Sequence, residues 1–246
     1  MPAYYPVYLN LTGKKCLVFG GGPIAEDKIA KLQSSGARIT IVSPTVTPNL
    51  QAWANRGDFQ WQPREYQAGD LEGAFLSIAA TNDRQVNHEI FQEAERLGVL
   101  MNVVDAPEQC TFIAPAIVQR GQVTLAISTG GASPALARKL REALTEDPAL
   151  EWADLAGVLS LARKEVKKRS LTIDPQRWQC CITTELLRLA QTGHEDQALS
   201  SLLFRLTDPN APGLCQNLES CSAKRCGAGS EVLSGISSGV SSMEQA

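Results

Sequence analysis

Lys15-Cys16-Leu17-Val18-Phe19 is an apolar run stopped at once by Gly20-Gly21-Gly22. A run this short, punctuated by glycines, predicts a buried strand that turns sharply into the next element. That next element is helical in pattern: Ala25 to Ser34 carries Ile24, Ile29 and Leu32 as its expected apolar face, with Gly36 as the stop. The theme then repeats. Arg38 to Val42 is a β-branched strand ended by Ser43-Pro44, residues 46–56 read as a helix, and Phe59-Gln60-Trp61 as a short strand. Phe75 to Ala80 is a further apolar strand, 84–97 a helix, and Leu100 to Val104 another strand. Nearly continuous apolar strands alternating with helices predict an α/β fold built on a doubly wound parallel sheet.

Beyond Pro115 the pattern changes. Ala116 to Gln119 and Gln122 to Ile127 flank Arg120-Gly121 as two strands around a tight turn. Ser133-Pro134 starts a helix through about Thr145, with Ser as cap and Pro in the first turn. From Leu150 to Phe204 the segments are helical, with Asp174-Pro175 as a second start of the same kind and Gly193 as a stop. The expected division is therefore 1–115, 116–148, 149–208, and a Cys/Ser/Gly-rich tail over 209–246 without periodicity, expected to be disordered.

Composition narrows the classes. The 246 residues carry a formal charge of −3, which argues against bulk nucleic-acid binding. No apolar run reaches the ~20 residues needed to span a bilayer. Met1 to Pro6 lacks the basic and apolar regions of a secretory signal. Seven cysteines at scattered spacing fit no disulfide framework, so the expected setting is a reducing cytoplasm. His88 and His194 are the only histidines and lack ligand spacing, so no resident metal is expected.

Chemistry points to the strand ends. Gly20-x-Gly22-x-x-Ala25 follows a strand and opens a helix. Gly20 permits the turn, Gly22 lets a pyrophosphate approach the backbone, and Ala25 lets helix and strand pack closely. With Pro23 and Ile24 in the first helical turn, free N–H groups and partial positive charge complete an anion seat. The acidic residue that usually reads the ribose ~20 residues on is missing. Val42-Ser43-Pro44-Thr45 stands there instead, so Ser43 or Thr45 is left to bond the ribose and NAD versus NADP stays open. Ala80-Thr81-Asn82-Asp83 and Val104-Asp105 also fall at carboxyl ends, where open sheets bind ligands. Asn82 is the better cofactor contact and Asp83 the helix cap. Asp105 has two readings: a partly desolvated carboxylate in the crevice, a setting that makes a better base, or a turn residue ahead of Pro107.

With these residues in place, the chain resembles the precorrin-2 dehydrogenase/sirohydrochlorin ferrochelatase family, the stand-alone or N-terminal module of sirohaem synthase. Matching stretches are Tyr5-Pro6-Val7, Gly20 to Lys28, Ala79 to Asp83, Asn102 to Asp105, Phe112 to Ala116 and Ala126 to Arg138, in family order over roughly residues 4–205. The fused methyltransferase domain of long members is not expected here. The resemblance implies an NAD-binding Rossmann-like domain, a dimerisation segment exchanged within a homodimer, and a small helical domain. It implies NAD⁺-dependent oxidation of precorrin-2 to sirohydrochlorin, followed in many members by insertion of Fe²⁺, a substrate, to give sirohaem. Asp105 matches the family's key aspartate, seen as general base and as helper in metal insertion.

The Ser128-Thr129-Gly130 loop has two readings, a strand end with a glycine turn and helix cap, or hydroxyls and helix N-terminal N–H groups that bind substrate carboxylates, and the resemblance implies a place beside the cleft; Ser133 is first a cap. Arg120 and Arg138 are candidate partners for the eight carboxylates of a tetrapyrrole, as is Arg141. The basic run Lys164, Lys167, Lys168, Arg169 reads as a solvated face or a substrate surface. Cys215, Cys221 and Cys226 match no metal pattern. The alternatives are a dehydrogenase working with a separate chelatase, or a non-catalytic nucleotide- or tetrapyrrole-binding protein.

Overall fold

The apolar runs pair as expected. In the computed structural model, β1 (Lys15–Phe19), β2 (Arg38–Val42), β3 (Gln60–Gln62), β4 (Leu76–Ala79) and β5 (Leu100–Val103) form one parallel sheet in the order β3-β2-β1-β4-β5. Residues 4–208 and Ala211 are described, so the rest of the tail, with its three cysteines and the disorder expected of it, lies outside the described residues. The inner strands are largely apolar because both faces are covered, whereas the edge strand β3 is Gln-Trp-Gln and has no buried position. Cys16, Val18, Ile41 and Ile78 pack with Ala25, Ile29 and Leu32 of α1 (Pro23–Ser34) and Leu50 of α2 (Pro48–Asn55). Leu17, Phe19, Ala79, Met101 and Val103 pack with Ile90 and Ala94 of α3 (Arg84–Leu97). That is the doubly wound arrangement, and the order reverses between β1 and β4, where such sheets open a crevice.

Register places Ser77 between Leu17 and Met101 on the α3 face. Among the described residues its hydroxyl is the buried side-chain polar atom without a partner. An unpaired buried hydroxyl opposes folding, so Ser77→Ala is expected to stabilise the protein by up to about 1 kcal/mol. Chemical denaturation would check this, and a clear loss of stability would show that the hydroxyl has a partner.

Local signals set the helix starts. Asp83 accepts the Gln85 and Val86 N–H groups at 2.8 and 3.2 Å, Ser133 that of Leu136 at 3.1 Å, and Asp174 that of Gln176 at 2.7 Å. One expectation fails: Ile24 is not on the buried face of α1 but 51% exposed in its first turn, beside the glycines.

The chain divides into two units, the chain up to Ala114 with Gly130–Ala132, and Pro115–Thr129 with the chain from Ser133 on. In the second unit β6 (Ala116–Arg120) and β7 (Val123–Ile127) form an antiparallel pair turned at Gly121, whose φ is +55°. α4 (Pro134–Thr145) precedes a 3₁₀ stretch, Pro148–Leu155, and a helical group: α5 (Ala156–Lys168), α6 (Pro175–Cys180), α7 (Thr184–Gln191) and α8 (Glu195–Thr207). Leu155, Val158, Ala162, Cys181, Leu186, Ala198 and Leu202 make its core.

Candidate functional site

The glycine turn shows a division of labour. Gly20 has φ +106°, and a Cβ there would stand 2.4 Å from the Ala80 carbonyl oxygen, so the turn lies hard against the end of β4. At Gly21 a Cβ would meet the Thr45 carbonyl oxygen at 2.1 Å and Val46 Cα at 2.8 Å. Gly22 is the opposite case: nothing lies within 4 Å of a Cβ placed there. It is the N-cap of α1 and supplies no side chain to the helix's first N–H groups. Those groups have no intrahelical acceptor and carry partial positive charge. An open, uncapped helix start held by two tightly packed glycines fits the pyrophosphate of a dinucleotide, with Pro23, Ile24 and Ala25 as the turn that would receive it.

The loop after β2 is fastened to that turn. Thr47 N–H donates to Gly21 O at 2.9 Å, and the Thr47 hydroxyl accepts the Leu50 N–H at 3.2 Å as the cap of α2. The same hydroxyl donates to Glu26 Oε2 at 2.5 Å, while Asn49 Nδ2 donates to Glu26 Oε1 at 2.8 Å. These bonds, Thr47's first and Asn49's second, hold the Glu26 carboxyl below the usual carboxylate range. Ser43 differs from expectation. It is buried, its hydroxyl donates to Thr45 O at 2.7 Å, and its carbonyl accepts Trp61 Nε1–H at 3.0 Å. The Ser43 hydroxyl spends its one donor on its own turn, and Pro44 and Thr45 are the exposed residues of this loop. At the end of β4, Thr81 donates to Asn87 Oδ1 at 2.7 Å, and Asn87 is buried. Thr81 therefore braces the loop, and the exposed Asn82 is the side chain presented there.

Asp105 follows β5 in a turn with φ +60°, one of two described non-glycine residues at positive φ. Aspartate tolerates this conformation better than most residues. The partial desolvation expected of it is not found, because Asp105 is exposed. Its turn lies past the last buried position of β5, and Pro107 opens a short 3₁₀ segment next to it. Cys110, which the sequence reading did not single out, braces this turn. Its sulfur accepts Val103 N–H at 3.2 Å, and its S–H faces the carbonyls of Val103 and Ala106, each at 3.3 Å. Burial, above all, pushes the Cys110 thiol up, which keeps it a donor.

In the second unit Arg120 is held in an ion pair. Its Nε and Nη2 donate to the two Asp154 oxygens at 2.8 and 2.6 Å, and Gln191 Nε2 adds a third bond at 3.1 Å. A bidentate pair already balances its charge, and it ties β6 to the 3₁₀ stretch Pro148–Leu155, whose Asp154 also accepts from Gln191 of α7. Thr129 is likewise engaged: its hydroxyl accepts Ser133 N–H and donates to Ser133 O, both at 3.1 Å, closing the start of α4. Ser128 and Arg138 are exposed, and Gly130 turns with φ +62°. Arg163, Lys164 and Lys167 of α5 rim a groove of about 480 Å³ floored by Leu159, Trp178 and Ile182. Among the described residues no group of three or more His, Cys, Asp or Glu is placed to hold a metal, and no helix is long and apolar enough to cross a membrane.

Residues 7–116 match a family of NAD(P)-binding domains, and residues 120–146 match the family described as sirohaem biosynthesis protein, central. The siroheme synthase of Nitrosococcus oceani is 35% identical over 201 residues, covering 81% of this chain and 43% of that protein. Siroheme synthase 1 of Aeromonas salmonicida is 39% identical over 189 residues, covering 75% of this chain and 40% of its own length. The chain thus spans less than half the length of these relatives. Among solved structures, SirC, a precorrin-2 dehydrogenase, superposes with a TM-score of 0.61 at 28% identity, covering 81% of this chain and 98% of that one.

Proposed function

The chain belongs to the precorrin-2 dehydrogenase/sirohydrochlorin ferrochelatase family, and on that premise we propose that it oxidises precorrin-2 to sirohydrochlorin with NAD⁺ and then inserts Fe²⁺ to give sirohaem. The observation that carries this reading is a coincidence of place. The open helix start at Gly22 and the carboxylate of Asp105 both stand on the carboxyl edge of one parallel sheet. When bound, NAD⁺ supplies the two-electron acceptor. Gly20, Gly22, Pro23, Ile24 and Ala25 seat its pyrophosphate, and Pro44, Thr45 and Asn82 line the loops next to it. Asp105 Oδ takes up the proton that the oxidation of precorrin-2 releases. Metal insertion removes two pyrrole N–H protons, and the same carboxylate can relay them one at a time to solvent with Fe²⁺ arriving as substrate.

The similarity to SirC supports the dehydrogenase half, and the siroheme synthase relatives support the chelatase half. Under anaerobic conditions precorrin-2 is expected to keep its visible spectrum with the protein alone and to convert once NAD⁺ is added. Conversion that ignores NAD⁺ would contradict the reading. Sirohydrochlorin should then take up Fe²⁺ faster than without enzyme; equal rates would leave a dehydrogenase that relies on a separate chelatase.

Ser128, Gly130, Arg138 and Arg141 stay as candidates for substrate carboxylates. The working unit is a homodimer. α4 has no buried residue, and Leu136 and Leu140, one turn apart on it, are 50% and 40% exposed, with Ile117 and Leu125 exposed on β6 and β7. A concentration of exposed aliphatics like this calls for cover. Light scattering should give twice the 26.5 kDa chain mass, falling to a single chain for Leu140→Glu. A monomeric parent protein would contradict the dimer.

A further inference from the structure

We propose that Glu26 selects NAD⁺ over NADP⁺ by holding a carboxylate at the loop that reads the adenosine ribose. The proposal rests on the reading that the glycine turn seats a dinucleotide, and it names a determinant which that reading leaves open. In dinucleotide folds an acid at the end of the second strand accepts the ribose hydroxyls and repels a 2′-phosphate. Here β2 ends at Val42, and Ser43-Pro44-Thr45-Val46-Thr47 contains neither a carboxylate nor a cation. The first turn of α1 supplies what the loop lacks. Glu26 reaches across to Thr47 at 2.5 Å and Asn49 at 2.8 Å, and Thr47 is itself bonded to Gly21 O at 2.9 Å.

The charge is thereby fixed between the pyrophosphate seat and the ribose loop. A carboxylate offers about four acceptor positions, and Thr47 and Asn49 use two. The others are open to vicinal hydroxyls, whereas a phosphate in their place would face a carboxylate that the two hydrogen bonds keep ionised. The usual acidic reader has moved from strand to helix, which is why its spacing is absent from the sequence.

Equilibrium binding of NAD⁺ and of NADP⁺ to the full chain, without substrate, tests this. The parent protein should favour NAD⁺ by about tenfold or more. Glu26→Gln should narrow that preference to roughly threefold or less, chiefly through tighter NADP⁺ binding. Asn49→Lys alters an exposed residue of α2, leaves α1 intact and should narrow it in the same direction. Equal binding of the two nucleotides by the parent protein, or an unchanged preference in both variants, would overturn the proposal while leaving the dinucleotide seat standing. Failure of the parent to bind either nucleotide would overturn both.

Discussion

Asp105→Asn is expected to lower the rate of precorrin-2 oxidation by about 10²–10⁴-fold with little change in stability. The backbone dictates the choice of asparagine. Asp105 sits at φ +60°, which asparagine is among the few residues to adopt with comparable ease, so the substitution removes the carboxylate and keeps the turn. Asp105→Ala confounds the two effects, since alanine in this conformation costs about 1 kcal/mol or more. Asp105→Gly completes the set: it relieves the backbone, should fold at least as stably as the parent, and should be as inactive as the asparagine variant. Rates and melting temperatures of the three variants separate a proton acceptor from a turn former. Retained activity in Asp105→Asn would leave Asp105 as the turn residue of the alternative reading.

Gly21→Ala and Gly22→Asp should part company just as sharply. A methyl group on Gly21 would lie 2.1 Å from the Thr45 carbonyl oxygen, a backbone atom that cannot swing away. The loop must shift, at an expected cost of about 2–3 kcal/mol, and Thr47's bond to Gly21 goes with it. At Gly22 there is open space, and φ −82° suits any residue. An aspartate there caps α1, so stability should hold or rise by a few tenths of a kcal/mol. The same side chain fills and charges the phosphate seat, and NAD⁺ affinity should fall by about two orders of magnitude. Thermal unfolding and NAD⁺ binding, measured on both variants, check the contrast. A folded Gly22→Asp protein with undiminished affinity would count against the seat.

Much of the fold was legible because its determinants are local. Strands buried on both faces read as short, largely apolar runs, and Asp83, Ser133 and Asp174 announce helices through their own hydrogen bonds. The site was legible only where a backbone rule applies, as at Gly20 and Gly22. What periodicity cannot carry is a partner distant in sequence. Arg120 meets Asp154 across 34 positions, which gives a candidate anion binder a carboxylate partner inside the chain. Glu26 meets Thr47 across 21, which supplies an acid that the usual spacing omits. Ile24 broke the helical pattern for a related reason: in the first turn of α1 it lies beside the open glycine seat, where no core requires it. Thr47-Pro48 and Glu26, four residues past Gly22, were the available signals, each too common alone to decide anything.

The most direct measurement is the electron balance of a single anaerobic reaction: purified protein, precorrin-2 and NAD⁺, with NADH and sirohydrochlorin both quantified. One NADH formed for each sirohydrochlorin, at a rate that Asp105→Asn nearly abolishes, is the predicted result. Sirohydrochlorin appearing no faster than without the protein, or without matching NADH, would contradict it.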